Sequence, residues 1–147
     1  MKKLFVYYSY TGNGEVVAEK MQEKGYELRR VEVKKGLPKV FFFAMLSGGF
    51  QAGINKKAKL KEFNYDVSDY DEVVIGSPIW NGRFAPATNT ILANMKLDNK
   101  QVRFILYSGS GEGKYALQRI NKEYPNAKYV FLKQPKDYPE ELDKLDF

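Results

Sequence analysis

Apolar residues fall along this chain in two rhythms. Continuous apolar runs at Lys3–Tyr8 (KLFVYY) and Glu72–Gly76 (EVVIG) predict strands buried in the sheet, and Gln101–Tyr107 (QVRFILY) and Lys128–Leu132 predict two further strands. Between them, apolar positions return at four-residue spacing. Val17 and Met21 mark a helix over Glu15–Lys24 that Gly25 is placed to stop. Ala87, Ile91 and Met95, with Leu92 beside them, mark a helix opening at Pro86, and Ala116, Ile120 and Tyr124 mark another over Tyr115–Tyr124. Tyr26–Val33 (YELRRVEV) mixes charge into a strand pattern and predicts a sheet edge. Ser77–Ala85 (SPIWNGRFA) predicts a loop through its Pro, Asn and Gly.

Strands alternating with helices through short polar loops predict one α/β domain over residues 1–147. The expected architecture is a single doubly wound, five-stranded parallel sheet in order 2-1-3-4-5, with helices on both faces. Two stretches fit it less well. Gly36–Tyr70 is long for one crossover and is expected to hold a short helix near Pro38–Leu46 and a turn at Gly48 and Gly49, while Lys136–Phe147 is short for a closing helix.

Composition removes several chemistries, because the chain has neither cysteine nor histidine. Disulfides, thiolate and imidazole metal ligands, cysteine nucleophiles and Ser-His triads are excluded, so any redox chemistry is expected of something bound. The longest apolar run, Val40–Leu46 (VFFFAML), is far short of the about 20 residues needed to span a bilayer, and no signal-peptide pattern follows MKK. A cytoplasmic protein with no membrane span is the expectation. The formal charge of +6 gathers at Arg29, Arg30, Lys34 and Lys35 and at Lys56, Lys57, Lys59 and Lys61. Such a surface suits an anionic partner or simply solvated lysines, and with no nucleic-acid motif beside it, nucleic acid is not expected as a partner.

Three loops carry the candidate chemistry: SYTGNG (Ser9–Gly14), SPIWNG (Ser77–Gly82) and SGSGEG (Ser108–Gly113). Each follows a strand, and all three should meet at the carboxyl rim of the sheet, where doubly wound folds bind ligands. SYTGNG precedes a helix, so its amides and hydroxyls can converge on one anion, and its glycines allow close approach. No lysine or arginine lies within that stretch, so hydrogen bonds alone would hold a phosphate there. The same residues also suit a plain N-cap turn.

SYTGNGEVVAEKM after a strand, YDEVVIGSPIWNGRFAP, and a third strand ending in SGSGEG resemble the flavodoxin family over nearly the whole chain. The resemblance implies one non-covalent FMN, with its phosphate on Ser9, Tyr10, Thr11, Gly12, Asn13 and Gly14. It implies the isoalloxazine ring beside Ser77, Pro78, Ile79, Trp80, Asn81 and Gly82, and its pyrimidine edge against Ser108, Gly109, Ser110 and Gly111. Trp80, the single tryptophan, would stack on the ring; its other reading is a core aromatic. The Asn81–Gly82 peptide would turn its carbonyl toward flavin N5, or else form an ordinary Asn-Gly turn. Two departures stand out. Flavodoxins often carry a hydroxyl where this chain has Gly14, and many place a covering tyrosine in the third loop, which has none, although Tyr115 follows closely.

Taken as a flavodoxin, the protein would pass single electrons between redox protein partners, a reductase and an acceptor. Its basic charge departs from the typical acidic flavodoxin and suits acidic partners. The alternative is a small FMN-dependent NAD(P)H or quinone reductase with an open ring face, and a third reading is a flavin-free binding module. A nicotinamide Rossmann domain would need G-x-G-x-x-G after strand one, which Thr11–Gly14 does not supply.

Overall fold

The computed structural model describes residues 1–34 and 57–146. Its centre is built from the continuous apolar runs. Strand β1 (Lys3–Tyr7) leads through the first loop into helix α1 (Asn13–Glu23), and β2 (Glu27–Arg30) returns beside β1. Strand β3 (Glu72–Trp80) is followed by the two-residue β4 (Arg83–Phe84) and helix α2 (Pro86–Asn94). Then come β5 (Gln101–Ser108), helix α3 (Lys114–Glu123), β6 (Lys128–Lys133) and a closing 3-10 helix (Pro139–Lys144).

The parallel strands lie in the order β2-β1-β3-β5-β6, with β4 antiparallel to the end of β3. With β4 set aside this is the expected 2-1-3-4-5 path of a doubly wound sheet. Register is set by the buried runs: Val6 lies beside Ile75, and Ile75 beside Phe104. Side chains alternate between two cores, as the pleat requires. Phe5, Tyr7, Val74, Ile105 and Tyr107 pack on one face with Val17, Ala18 and Met21 of α1 and with Leu145 after the 3-10 helix. Leu4, Val6, Val73, Ile75, Phe104 and Leu106 pack on the other with Ala87, Ile91 and Leu92 of α2 and Ala116 and Ile120 of α3. The short C-terminal stretch therefore covers its face with a six-residue 3-10 helix and a buried leucine.

Two expectations need correction. Ser77–Trp80 is not loop but the second half of β3, where Ser77 and Pro78 pair in register with Leu106 and Tyr107 of β5. Pro78 is tolerated because β1 pairs with β3 only as far as Gly76, which leaves β3 an edge on that side beyond it. The edge strand is also shorter than Tyr26–Val33, and Val33 instead makes an isolated antiparallel bridge with Leu60. Of the long Gly36–Tyr70 connection, residues 57–70 are described. They return along the α2 face, where the Thr90 hydroxyl donates to the Ala58 carbonyl at 2.7 Å and accepts from its amide at 3.0 Å. The helix expected near Pro38–Leu46 and the turn at Gly48 and Gly49 lie outside the described residues.

Burial of tyrosines gives this fold an alkaline limit. Burial pushes the Tyr8 phenol up to about 12, the neighbouring Tyr10 adds to the shift, and Arg30 opposes it. The Tyr107 phenol, fully buried, is raised as well, again by burial first. An unfolded tyrosine gives up its proton near pH 10, so above that pH the folded state holds protons that the unfolded chain has lost. This stabilisation is complete below about pH 10 and drains away as pH rises toward about 12. Urea midpoints should be level up to about pH 10 and fall above it; a midpoint unchanged at about pH 11.5 would contradict this.

Candidate functional site at the carboxyl rim of the sheet

The N-cap residue of helix α1 is Gly12, in the left-handed region (φ 97°), and it has no side chain to offer the first helical amides. An uncapped helix start presents amides toward whatever lies above it. Ser9 is buried at the base of this loop, where its hydroxyl accepts the Gly14 amide at 3.0 Å and donates to the Glu15 carboxylate. Arg30 pairs with the other oxygen of Glu15 at 2.7 Å, so the acid in the first helical turn is neutralised by its own partner. Thr11 is exposed, and its hydroxyl accepts from the Asn13 side-chain amide at 3.2 Å.

The departure at Gly14 has a steric cause. A Cβ at Gly14 would stand 2.5 Å from Ser9 Cβ and 2.8 Å from the Tyr107 hydroxyl, so Ser9 already fills the space a hydroxyl residue would use. Gly14→Thr is expected to destabilise the fold by about 2 kcal/mol through overpacking. Urea unfolding of Gly14→Thr alone and together with Ser9→Gly checks this, because the second change removes the nearest clash and should recover part of the loss.

At the end of β3 the chain reverses through Asn81 (φ 52°) and Gly82 (φ 75°), between the paired Trp80 and Arg83. Two consecutive positive φ values in a two-residue hairpin are the signature of a type I′ turn, for which Asn-Gly is the favoured pair. The Gly82 carbonyl accepts the amides of Tyr115 at 3.0 Å and Ala116 at 2.9 Å, so this turn also caps α3. Arg83 lies 3.9 Å over the Tyr115 ring, and Tyr115 in turn packs against Gly82. A tyrosine at the head of α3 thus stands beside this turn.

Ser77, Pro78, Ile79 and Trp80 are placed differently from the turn they lead into: all four are buried. The Ser77 hydroxyl accepts from Thr88 at 2.7 Å and donates to the Pro78 carbonyl. Trp80 is only 5% exposed and stands edge-on to Tyr8 and Tyr10, with ring centroids 6.0 and 5.9 Å apart. Its indole underlies the rim and joins the first loop, through Tyr10, to the end of β3.

Ser108 closes β5, and its hydroxyl accepts the amides of Gly111 at 2.9 Å and Glu112 at 3.0 Å. Gly109 and Ser110 are exposed, and Gly111 takes a positive φ of 77°. One residue absent from the sequence-based expectation also reaches the rim. After β6 the chain turns back, and the Lys136 ammonium donates to the Thr11 carbonyl at 3.4 Å while its backbone amide donates to Asn13 Oδ1 at 3.0 Å. A cation therefore stands at a loop that has none of its own, and no local motif announces it from that distance along the chain.

The rim thus gathers uncapped helix amides, a threonine hydroxyl and an ammonium at the first loop, with the Asn81–Gly82 turn and the Ser108–Gly111 loop beside it. The donor set of the first loop fits a phosphate, and the neighbouring loops border the same rim. A separate groove of about 790 Å³, lined by Met95, Arg103, Tyr124 and Lys128 among others, opens at the opposite, amino end of β5 and β6 and belongs to no motif of the rim.

A profile of the NADPH-dependent FMN reductases matches residues 12–131. The chain belongs to this FMN reductase family. The FMN expected from the sequence is the flavin that the family's description names, and the wider expectation of a flavodoxin-like FMN protein stands with the match. Solved structures agree with the fold of this FMN reductase family member. A flavoprotein candidate from Bacteroides eggerthii superposes with a TM-score of 0.73 at 23% identity, over 99% of this chain and 98% of the other. One from Bacteroides uniformis gives 0.66 at 22% identity over 87% and 88%. A Lactobacillus acidophilus flavoprotein in complex with FMN gives 0.62 at 23% identity over 95% and 97%. No curated protein sequence matches the chain. Among the described residues no helix is long and apolar enough to cross a membrane.

Proposed function

We propose that the protein binds FMN non-covalently at the carboxyl rim and acts as a small FMN-dependent reductase that draws electrons from NADPH or NADH. The observation that carries this reading is the first loop, where an uncapped helix start, Thr11 and Asn13 form an anion cradle in a chain of the FMN reductase family. FMN, when bound, supplies the exchange of one or two electrons, which no side chain of this protein can supply. Ser9 would hold the Gly14 amide in place, and Thr11, Gly12 and Asn13 would meet the phosphate. At the ring the Asn81–Gly82 turn contributes two carbonyls. That of Gly82 is engaged by two α3 amides, which leaves the Asn81 carbonyl, reached by Arg83 at 3.4 Å, as the one able to turn toward a ring nitrogen. The cytoplasm, where reduced nicotinamides are at hand, is the proposed site of action.

A second reading, a flavodoxin that carries single electrons between a reductase and an acceptor, rests on SYTGNG, SPIWNG and SGSGEG at the ends of three neighbouring strands. In that reading the +6 charge favours acidic partners. Titrating the purified protein with FMN and then adding NADPH or NADH without oxygen separates the two. Rapid bleaching of the bound flavin by a nicotinamide supports the reductase. Bound flavin that a nicotinamide leaves oxidised, but a chemical reductant bleaches, supports the carrier. An FMN spectrum that stays that of the free flavin, with all FMN removed by desalting, refutes both.

A further inference from the structure

The segment after β6 does not leave the rim. Gln134, at φ 41°, donates its amide to the Ser108 carbonyl at 3.0 Å and accepts the amides of Asp137 and Tyr138, each at 2.9 Å. This turn carries Lys136 from the third loop to the first. Its amide is fixed on Asn13, and its side chain lies along Gly12, where a Cβ would stand 3.1 Å from Lys136 Cδ and 3.2 Å from Nζ. The left-handed backbone of Gly12 and its missing side chain together make room for the lysine. Among the described residues no carboxylate forms an ion pair with Lys136. The nearest acid of the loop, Glu15, is held by Arg30. Arg30 at the head of α1 is thus engaged by Glu15, whereas the Lys136 ammonium meets a carbonyl, which is a weaker partner for an ammonium than a phosphate.

We infer that Lys136 is the countercharge of the cradle and sets its preference for a phosphorylated flavin over an unphosphorylated one. The inference rests on the proposed flavin site and adds a residue to it. The ammonium is exposed, so its contribution is screened by salt and is largest at low ionic strength. The backbone bond to Asn13 holds the segment whatever the side chain, so Lys136→Met removes the charge without releasing the strap.

Dissociation constants for FMN and for riboflavin, measured by quenching of flavin fluorescence at low and at moderate salt, test this in the wild type, Lys136→Met and Lys136→Arg. Wild type should prefer FMN. Lys136→Met should bind FMN about tenfold more weakly at low salt, equivalent to about 1.4 kcal/mol, with riboflavin unchanged and a flatter salt dependence, while Lys136→Arg keeps the preference. Equal loss for both flavins, or no loss for FMN, overturns the role of Lys136 while leaving the flavin site standing. A wild type that binds the two flavins equally does the same. A wild type that binds neither overturns the flavin site and the lysine's role with it.

Discussion

Glu72→Ala is expected to destabilise the protein by about 3–5 kcal/mol, the usual result of removing one partner from a buried ion pair. Glu72 opens β3 at the heart of the sheet and is 3% exposed. One carboxylate oxygen takes the Arg103 guanidinium at 2.9 Å and the Tyr26 hydroxyl at 2.6 Å. Arg103 sits on β5 on the same face, so truncation would take away its buried carboxylate in a layer shared with Val74 and Ile105 and leave the Tyr26 phenol without this acceptor. A drop in melting temperature of roughly 10 °C follows from such a loss in a domain of this size. Replacing both members of the pair, as in Glu72→Leu with Arg103→Met, should cost less than Glu72→Ala alone, because the guanidinium then leaves together with its carboxylate. If the double variant were the weaker of the two, the pair itself would be stabilising beyond its desolvation and this account would be wrong.

Trp80→Ala should have an effect of similar size, about 3–5 kcal/mol, because it empties a large buried aromatic site. The indole is held between Tyr8 and Tyr10 and belongs to the core shared with α2 and α3, so its first role is to support the rim from below. Trp80→Phe keeps much of that volume and separates support from contact. Its expected outcome is a folded protein whose FMN affinity changes by less than tenfold. A loss of tenfold or more, equivalent to about 1.4 kcal/mol or more, would mean that the indole touches the ring directly.

The fold was legible where one physical signal dominated. KLFVYY is almost wholly apolar, so it reads at once as a central strand, and the alternation of strands with amphipathic helices pointed to a parallel, doubly wound sheet. The first loop stood out for a different reason, since glycines and hydroxyls between a buried strand and a helix suit either an anion cradle or an N-cap turn, and the residue at the N-cap is Gly12 rather than a hydroxyl residue. The end of β3 was hidden, because Pro78, Asn81 and Gly82 are loop residues by every local measure. What makes Ser77–Trp80 a strand is pairing with β5 after β1 has run out, which is visible only in the sheet. Nothing local in the sequence marks Glu72, because its partners sit 46 residues before it and on the next strand. Lys136 could not be assigned at all from its neighbours. Its position depends on a left-handed glutamine and on bonds to loops at the far side of the domain.

The bond between Asn13 and Lys136 spans 123 residues of chain, and this fixes an order of events during synthesis. A nascent chain that has passed α3 already owns the amides and hydroxyls of its first loop, yet it lacks both β6 and the ammonium that comes after it. The first loop therefore meets Lys136 only after the whole sheet, β6 included, has been made, and a chain ended before β6 would keep the glycines and hydroxyls of that loop without the ammonium.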